Sequence, residues 1–218
     1  MEARLTEIPL REVLHFLGWR GTPVDAPLLE QIRSQCALVM REAQPRLVMR
    51  RFALIPGGAL AGTTLTLRGG DVRAMLSTCR EAVLLAATLG AQSERLLLRT
   101  QAQDAAMALI LDAAMSAAIE AVLDGQEETL RAELSAQGLY LTDRFSPGYG
   151  DMPIAQTREI CEVLSAQRAI GLTVSGGGVM IPRKSVTAVM GVSDVPVARR
   201  PAGCEGCAAR ETCALIRR

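Results

Sequence analysis

The apolar positions near the start of the chain recur at the spacing of amphipathic helices. Residues 10–17 predict a first helix, which Gly18 ends. A second helix is predicted after Asp25, whose carboxylate suits a cap position, and its apolar face runs to Val39. The chain therefore opens with two short amphipathic helices.

Runs of β-branched and aliphatic residues bounded by turn formers predict strands further along. The predicted strands are residues 47–55, 63–67, 82–89, 139–142, 172–175 and 186–192. By periodicity alone, the run 82–89 is compatible with either a strand or a helix. Pro56-Gly57-Gly58 separates the first two strands, and Gly176-Gly177-Gly178 between the last two favours a hairpin-like return.

Helical patterns lie between these strands. The predicted helices are 71–79 capped by Asp71, a long helix capped by Ser93 that includes Asp104 and is interrupted at Gly125, a polar helix to about residue 136, and 156–168. Residues 105–123 reach membrane-spanning length but contain Asp112 and Glu120, which indicates a buried helix. Helices and strands do not alternate one for one, so we expect an α+β fold with an antiparallel or mixed sheet.

Composition limits the domain count and the partners. The 218 residues carry a net charge of +1 and are 49% hydrophobic. We expect one main domain, residues 1–195, and an appendage, residues 196–218, with no nucleic-acid partner and no membrane span. The amino terminus lacks an apolar signal core, which predicts a cytoplasmic protein with reduced cysteines.

Several classes of enzyme have no support in the sequence. The one histidine, His15, lies among apolar neighbours and is expected to be a helix-face residue. The chain contains no phosphate-binding loop, no dinucleotide-binding glycine pattern and no Gly-x-Ser-x-Gly. Phosphoryl transfer, nicotinamide-linked redox chemistry and serine hydrolysis are therefore not indicated.

Residues 144–153 have the composition of a binding loop. Arg144 supplies a fixed cation, and Pro147 and Gly148 suit the two corners of a tight turn that projects Tyr149. Gly150 permits a ligand to approach the backbone closely. A purely structural turn is the alternative interpretation of this loop.

A second loop, residues 180–186, follows the glycine triplet. Met180-Ile181-Pro182-Arg183-Lys184-Ser185-Val186 offers cations and a hydroxyl at the mouth of a sheet. A polar hairpin arm with solvated Arg183 and Lys184 is the alternative interpretation.

The order of these two motifs, Arg-x-x-Pro-Gly-Tyr at 144–149 and Met-x-Pro-x-x-Ser-Val at 180–186, resembles the reactivation domain of cobalamin-dependent methionine synthase. The chain looks like a free-standing version of that domain. The resemblance implies a C-shaped α+β fold with a mixed or antiparallel sheet and long central helices. It also implies S-adenosylmethionine binding beside the cobalamin of a partner module.

The resemblance further implies roles for individual residues. Arg144 would pair with the methionyl carboxylate, and Pro147, Gly148, Tyr149 and Gly150 would hold the ligand. Glu120 would offset a positive charge of the ligand. Residues expected to face the corrin are Tyr149, Pro182, Ser185 and Val186. Three features depart from the family pattern: Thr6 in place of an acidic residue, Gly150-Asp151-Met152-Pro153 in place of Ala-Cys-Pro, and a longer stretch before Met180.

The resemblance does not explain the cysteines of the appendage. Cys204, Cys207 and Cys213 have a spacing compatible with zinc or an iron–sulfur cluster, and also with a disordered reduced tail or redox-sensing thiols. A fourth ligand is missing from the tail. Either Cys36, Cys79 or Cys161 supplies it, or an iron–sulfur cluster leaves one iron open. Cys161 lies in a helical apolar pattern that favours the core.

These observations predict a subunit that supports reductive methylation of cob(II)alamin. Its partner would be a corrinoid-binding methionine synthase or methyltransferase without its own activation domain, served by an electron donor such as flavodoxin or ferredoxin. One alternative is a non-catalytic, metal-bearing or redox-sensing module of a corrinoid methyltransferase. Another is a methyltransferase that acts on a substrate other than cobalt.

Overall fold

The computed structural model of the chain describes residues 3–19 and 23–197. Within these residues the helices are α1 (Leu10–Phe16), α2 (Ala26–Glu42), α3 (Gly70–Met75), α4 (Ala91–Gln103), α5 (Ala105–Ser135), α6 (Gln156–Val163) and α7 (Ala166–Ile170). The strands are β1 (Arg46–Ile55), β2 (Ala59–Leu60), β3 (Cys79–Thr88), β4 (Tyr140–Leu141), β5 (Thr173–Val174), β6 (Met180–Ile181) and β7 (Ser185–Ser193).

These elements form the predicted α+β fold. One sheet has the strand order β2-β1-β3-β7-β4, and β5 and β6 form a separate pair. The pairs β1–β2, β4–β7 and β5–β6 are antiparallel. The ambiguous run 82–89 lies in β3, so its continuous apolar pattern reflects a buried strand.

The chain divides into two compact units, each built from three segments. The first unit comprises Met1–Val48, Ala86–Thr129 and Ser165–Val186, and the second comprises Met49–Leu85, Leu130–Leu164 and Thr187–Arg218. The predicted boundary between residues 195 and 196 remains a prediction, because residues 198–218 lie outside the described part of the chain.

In the first unit, α2 contacts both α1 and α4. The Asp25 carboxylate accepts a hydrogen bond from Leu28 N at 2.8 Å, which confirms the predicted cap of α2. The alanine-rich part of α5 supplies buried residues such as Leu111 and Met115. Although α5 is long and apolar enough to cross a membrane, buried core helices meet the same test, and 61% of its most apolar window is buried.

The predicted long helix was wrong at three points. Asp104 separates α4 from α5, and its carboxylate caps α5 by accepting from Ala106 N at 2.9 Å. Gly125 does not interrupt α5, which is continuous for 31 residues. Gly90 precedes α4 in the cap position, while the Ser93 hydroxyl donates to Leu89 O at 3.1 Å. Ser93 is therefore not the cap.

Three other predicted elements differ from the structure. The strand β1 lies between β2 and β3, and residues 63–67 contribute an isolated bridge between Thr66 and Ala59 instead of a strand. The helix predicted over 156–168 breaks at Ser165, which has a φ of 51°. The hairpin around the glycine triplet pairs β5 with β6, whereas residues 186–192 belong to β7 in the larger sheet.

Candidate functional site

The predicted turn at the centre of the first loop is present in the second unit. Tyr149 N donates to Ser146 O at 3.1 Å, with Pro147 and Gly148 at the two corners. The φ of Gly148 is 93°, as the third position of a type II turn requires. Pro147 is buried, while 69% of Tyr149 is exposed. Buried Pro147 therefore anchors the turn, and the Tyr149 side chain is exposed to solvent.

The residues on either side of the turn hold it in place. Buried Phe145 exchanges two backbone hydrogen bonds with Val189 on β7, at 2.9 and 2.8 Å. Arg144, immediately before this bridge, is half-buried. At the other end, Met152 is buried and its carbonyl accepts from Gly148 N at 2.9 Å. The base of the loop is thus fixed to the sheet and the turn is closed on itself.

A contact with α3 fixes the same loop from another direction. The Asp151 carboxylate accepts hydrogen bonds from Gly70 N and, at 3.1 Å, from Asp71 N. It therefore caps α3, a role the sequence assigned to Asp71 itself. A Cβ on Gly150 would lie 2.1 Å from Asp71 Oδ2, so the two segments touch where residue 150 lacks a side chain. We call these two contacts, Asp151 with Gly70-Asp71 and Gly150 with Asp71, the α3 clasp.

The clasp determines the ionisation of Asp151. Hydrogen bonds from Gly70 N and Asp71 N stabilise the carboxylate and hold its pKa below the ordinary value, and Arg73 adds a smaller effect in the same direction. Asp151 is consequently charged at neutral pH.

A cavity of about 460 Å³ lies beside the clasp. Its lining residues in the second unit are Asp71, Ala74, Met75, Ser77, Thr78, Thr142, Asp143, Pro196 and Val197. Asp71 also contacts the position of Gly150, and Asp143 immediately precedes Arg144, so the cavity adjoins the loop. Its lining combines two carboxylates with three hydroxyls.

The other predicted site residues belong to the first unit. Glu120 is half-buried on α5. Ser185 is 7% exposed, and its hydroxyl donates to Pro182 O at 2.6 Å. Pro182 is buried and Val186 is half-buried. The structure therefore brings Arg144 and residues 147–150 together in one loop, and Pro182 and Ser185 together in another.

The two cations of the second loop form ion pairs within the first unit. Arg183 Nε lies 2.7 Å from Glu94 Oε1, and Arg183 N donates to Glu94 Oε2 at 2.8 Å. Lys184 Nζ lies 2.9 Å from Asp112 Oδ1 and 2.8 Å from Ser116 Oγ. The hairpin arm of the alternative interpretation is present in the pairing of β6 with β5, and Arg183 is exposed. Lys184 is not solvated as that interpretation expected, because only 15% of its side chain is exposed.

The cysteines of the tail lie outside the described residues. Among residues 3–19 and 23–197, no group of three His, Cys, Asp or Glu side chains is placed to hold a metal ion. Burial raises the pKa of the Cys36 and Cys79 thiols, and raises that of Cys161 to about 11. Burial thus favours the neutral thiol at all three positions.

The sequence did not predict the contact between Asp151 and α3. It indicated Asp151 as the carboxylate of the 144–153 binding loop and as part of a departure from the family motif, and Asp71 as a local helix cap. An available signal was that Asp follows Tyr149-Gly150 in a turn, where carboxylates often accept backbone hydrogen bonds. Its partner, however, lies 80 residues away along the chain.

The elements and the loop define an α+β fold that is also found among solved structures. A crystal structure of the MetH reactivation domain bound to AdoHcy is similar to this chain, with a TM-score of 0.62 and 17% sequence identity. The alignment covers 91% of this chain and 79% of that chain. No protein-family model matches the chain, and no curated protein matches it. The structural similarity confirms the fold that the resemblance implied.

Proposed function

We propose that this chain binds S-adenosylmethionine through residues 144–150 and supports reductive methylation of a corrinoid on a separate protein. The proposal rests on one observation, an exposed and doubly anchored Arg-x-x-Pro-Gly-Tyr turn in a chain with the fold of a reactivation domain. The solved neighbour contains AdoHcy, which is the demethylated form of the proposed ligand.

The proposed reaction requires one electron and one methyl group. A donor such as flavodoxin or ferredoxin reduces cob(II)alamin of the partner by one electron. The reduced cobalt then attacks the methyl carbon of S-adenosylmethionine, a cobalt–carbon bond forms, the sulfur–carbon bond breaks, and S-adenosylhomocysteine leaves. No proton moves in this displacement, so the protein contributes binding and alignment and needs no general acid or base.

The residues of the turn have separate tasks in this proposal. The planar guanidinium of Arg144 offers two parallel hydrogen bonds to the methionyl carboxylate. Exposed Tyr149 faces the corrin of the partner, and the backbone around Gly148 and Gly150 holds the adenosyl group. We further propose that Glu120 offsets a positive charge of the ligand and that Pro182, Ser185 and Val186 border the corrin.

Titration calorimetry with S-adenosylmethionine tests the ligand. Arg144→Ala is expected to weaken binding by about 10–100-fold, because a charge-assisted hydrogen bond contributes about 1.5–3 kcal/mol. Arg144→Lys is expected to bind with intermediate affinity, since an ammonium cannot form the paired bonds. Arg168→Ala, which removes an exposed arginine from α7, is the control and should bind like the wild type. Absence of binding to the wild type, or equal binding by Arg144→Ala, contradicts the proposal.

The role of the tail is tested separately. Metal analysis and the visible spectrum of anaerobically purified protein distinguish zinc, an iron–sulfur cluster and a metal-free tail. Cys207→Ser is expected to abolish any bound metal while leaving S-adenosylmethionine affinity unchanged. If reactivation of a corrinoid partner instead survives Arg144→Ala and is lost in Cys207→Ser, the non-catalytic module becomes the better description.

A further inference from the structure

The loop that carries Tyr149 has an anchor that the family motif does not account for. The motif ends at the tyrosine, and the next two residues, Gly150 and Asp151, form the α3 clasp. These residues belong to the stretch that replaces Ala-Cys-Pro of the family pattern. The residues that depart from the family pattern are therefore the same residues that contact α3.

The two halves of the clasp depend on each other. The Asp151 carboxylate reaches the amides of Gly70 and Asp71 only if the chain at residue 150 passes close to Asp71. With no side chain at Gly150 and a φ of 51°, the backbone takes that path. On the α3 side, a Cβ on Gly69 would lie 2.8 Å from Asp151 Oδ1 and 3.1 Å from Met152 Cα. The segments therefore fit closely from both sides.

We infer that Asp151 is a positioning residue that holds the Tyr149 turn in its binding conformation by capping α3. Met152 is the link, because its amide donates to Tyr149 O at 3.1 Å and its carbonyl accepts from Gly148 N. Fixing residue 151 fixes residue 152, and through it Gly148 and Tyr149, the second half of the turn. The inference rests on the proposed function, since the turn matters only if it holds the ligand. A loop held in its bound conformation loses less entropy on binding.

Amide hydrogen exchange tests the anchor without any ligand. Asp151→Ala is expected to increase exchange about tenfold or more at Gly70 and Asp71, and also at Gly148 and Met152. The control is Asp25→Ala, which removes a carboxylate that caps α2 from the preceding residue and lies in the other unit. Unchanged exchange at Gly148 and Met152 in Asp151→Ala, or an equal change in Asp25→Ala, overturns the inference.

Calorimetry then connects the anchor to the ligand. Asp151→Ala is expected to bind S-adenosylmethionine about tenfold more weakly, the size of effect expected when a cap is lost. Asp151→Asn should remain within about threefold of the wild type, because its amide oxygen also caps helices. Unchanged affinity in Asp151→Ala overturns the inference. If the wild type does not bind, the proposed function fails, and the exchange experiment still decides whether Asp151 holds the turn.

Discussion

Gly150→Ala is the most direct perturbation of the α3 clasp, because it adds one methyl group at the contact. The new Cβ would lie 2.1 Å from Asp71 Oδ2 and 3.1 Å from Asp71 Cγ, well inside van der Waals distance. The overlap is avoided if the Asp71 side chain rotates, at a cost of about 0.5–1.5 kcal/mol, or if the loop backbone shifts, at a cost of about 1–3 kcal/mol. The substitution also places alanine at a φ of 51°, which costs about 1–2 kcal/mol.

Gly138→Ala places alanine at a positive φ as Gly150→Ala does, so comparing the two variants cancels the free-energy cost of that backbone conformation. Gly138 has a φ of 72°, and a Cβ built on it meets nothing within 4 Å. Both variants therefore carry left-handed strain, and only Gly150→Ala carries the clash. We expect Gly150→Ala to be less stable than Gly138→Ala by about 1 kcal/mol or more. This difference corresponds to a Tm lower by about 2–4 °C for a chain of this size.

A double-mutant cycle with Asp71→Ala identifies the clash as the cause. In that background the nearest remaining atom of residue 71 is its Cβ, at 3.4 Å from the new methyl group, an ordinary contact. The Asp71 amide still donates to Asp151, so the cap is kept. Thermal unfolding should give a favourable coupling of about 1 kcal/mol, above the roughly 0.5 kcal/mol scatter of independent sites. Equal Tm values for Gly150→Ala and Gly138→Ala, or no coupling, would refute the reasoning.

Three further predictions follow from the same contacts and burial. Because the folded-state pKa of Asp151 is lowered, its carboxylate should add stability above the ordinary aspartate pKa of about 4. The difference in unfolding free energy between wild type and Asp151→Asn should therefore close as pH falls below that value. A pH-independent difference contradicts the assignment. Gly191→Ala should destabilise by about 1–3 kcal/mol in urea unfolding, since its Cβ would lie 2.4 Å from Cys79 Sγ and 2.7 Å from Leu76 Cδ2. Unchanged stability would show that this contact relaxes freely. Cys161, with its pKa raised to about 11, should resist iodoacetamide at pH 8 in the folded protein. Rapid labelling detected by mass spectrometry would contradict its burial.

The elements that were predicted correctly are those whose signals are local. The apolar positions of α2 and its cap at Asp25 belong to one continuous segment, so both were predicted from the local sequence. The turn at Pro147-Gly148 is equally local, because the φ preferences of two adjacent residues define its type. The resemblance that indicated the fold also depended on short motifs in a fixed order.

The errors have physical causes that a local pattern does not contain. A glycine in a helix costs about 1 kcal/mol, which the buried apolar part of α5 offsets, so Gly125 does not end it. Asp104 does end α4, because its carboxylate accepts from two amides of α5 and its own φ is −152°. Serine rarely adopts positive φ, so nothing in the sequence marked the break at Ser165.

The candidate site was predictable only up to the tyrosine of its motif. Beyond Tyr149, the sequence shows a glycine and a carboxylate that differ from the family pattern, and these differences weaken the match to the motif. In the contact with α3, Gly150 creates the space and Asp151 supplies the cap. Gly150 and Asp151 each weaken the match to the family motif, but together they fasten the turn to α3. Their partners lie 80 and 81 residues away along the chain, so only the folded structure connects them.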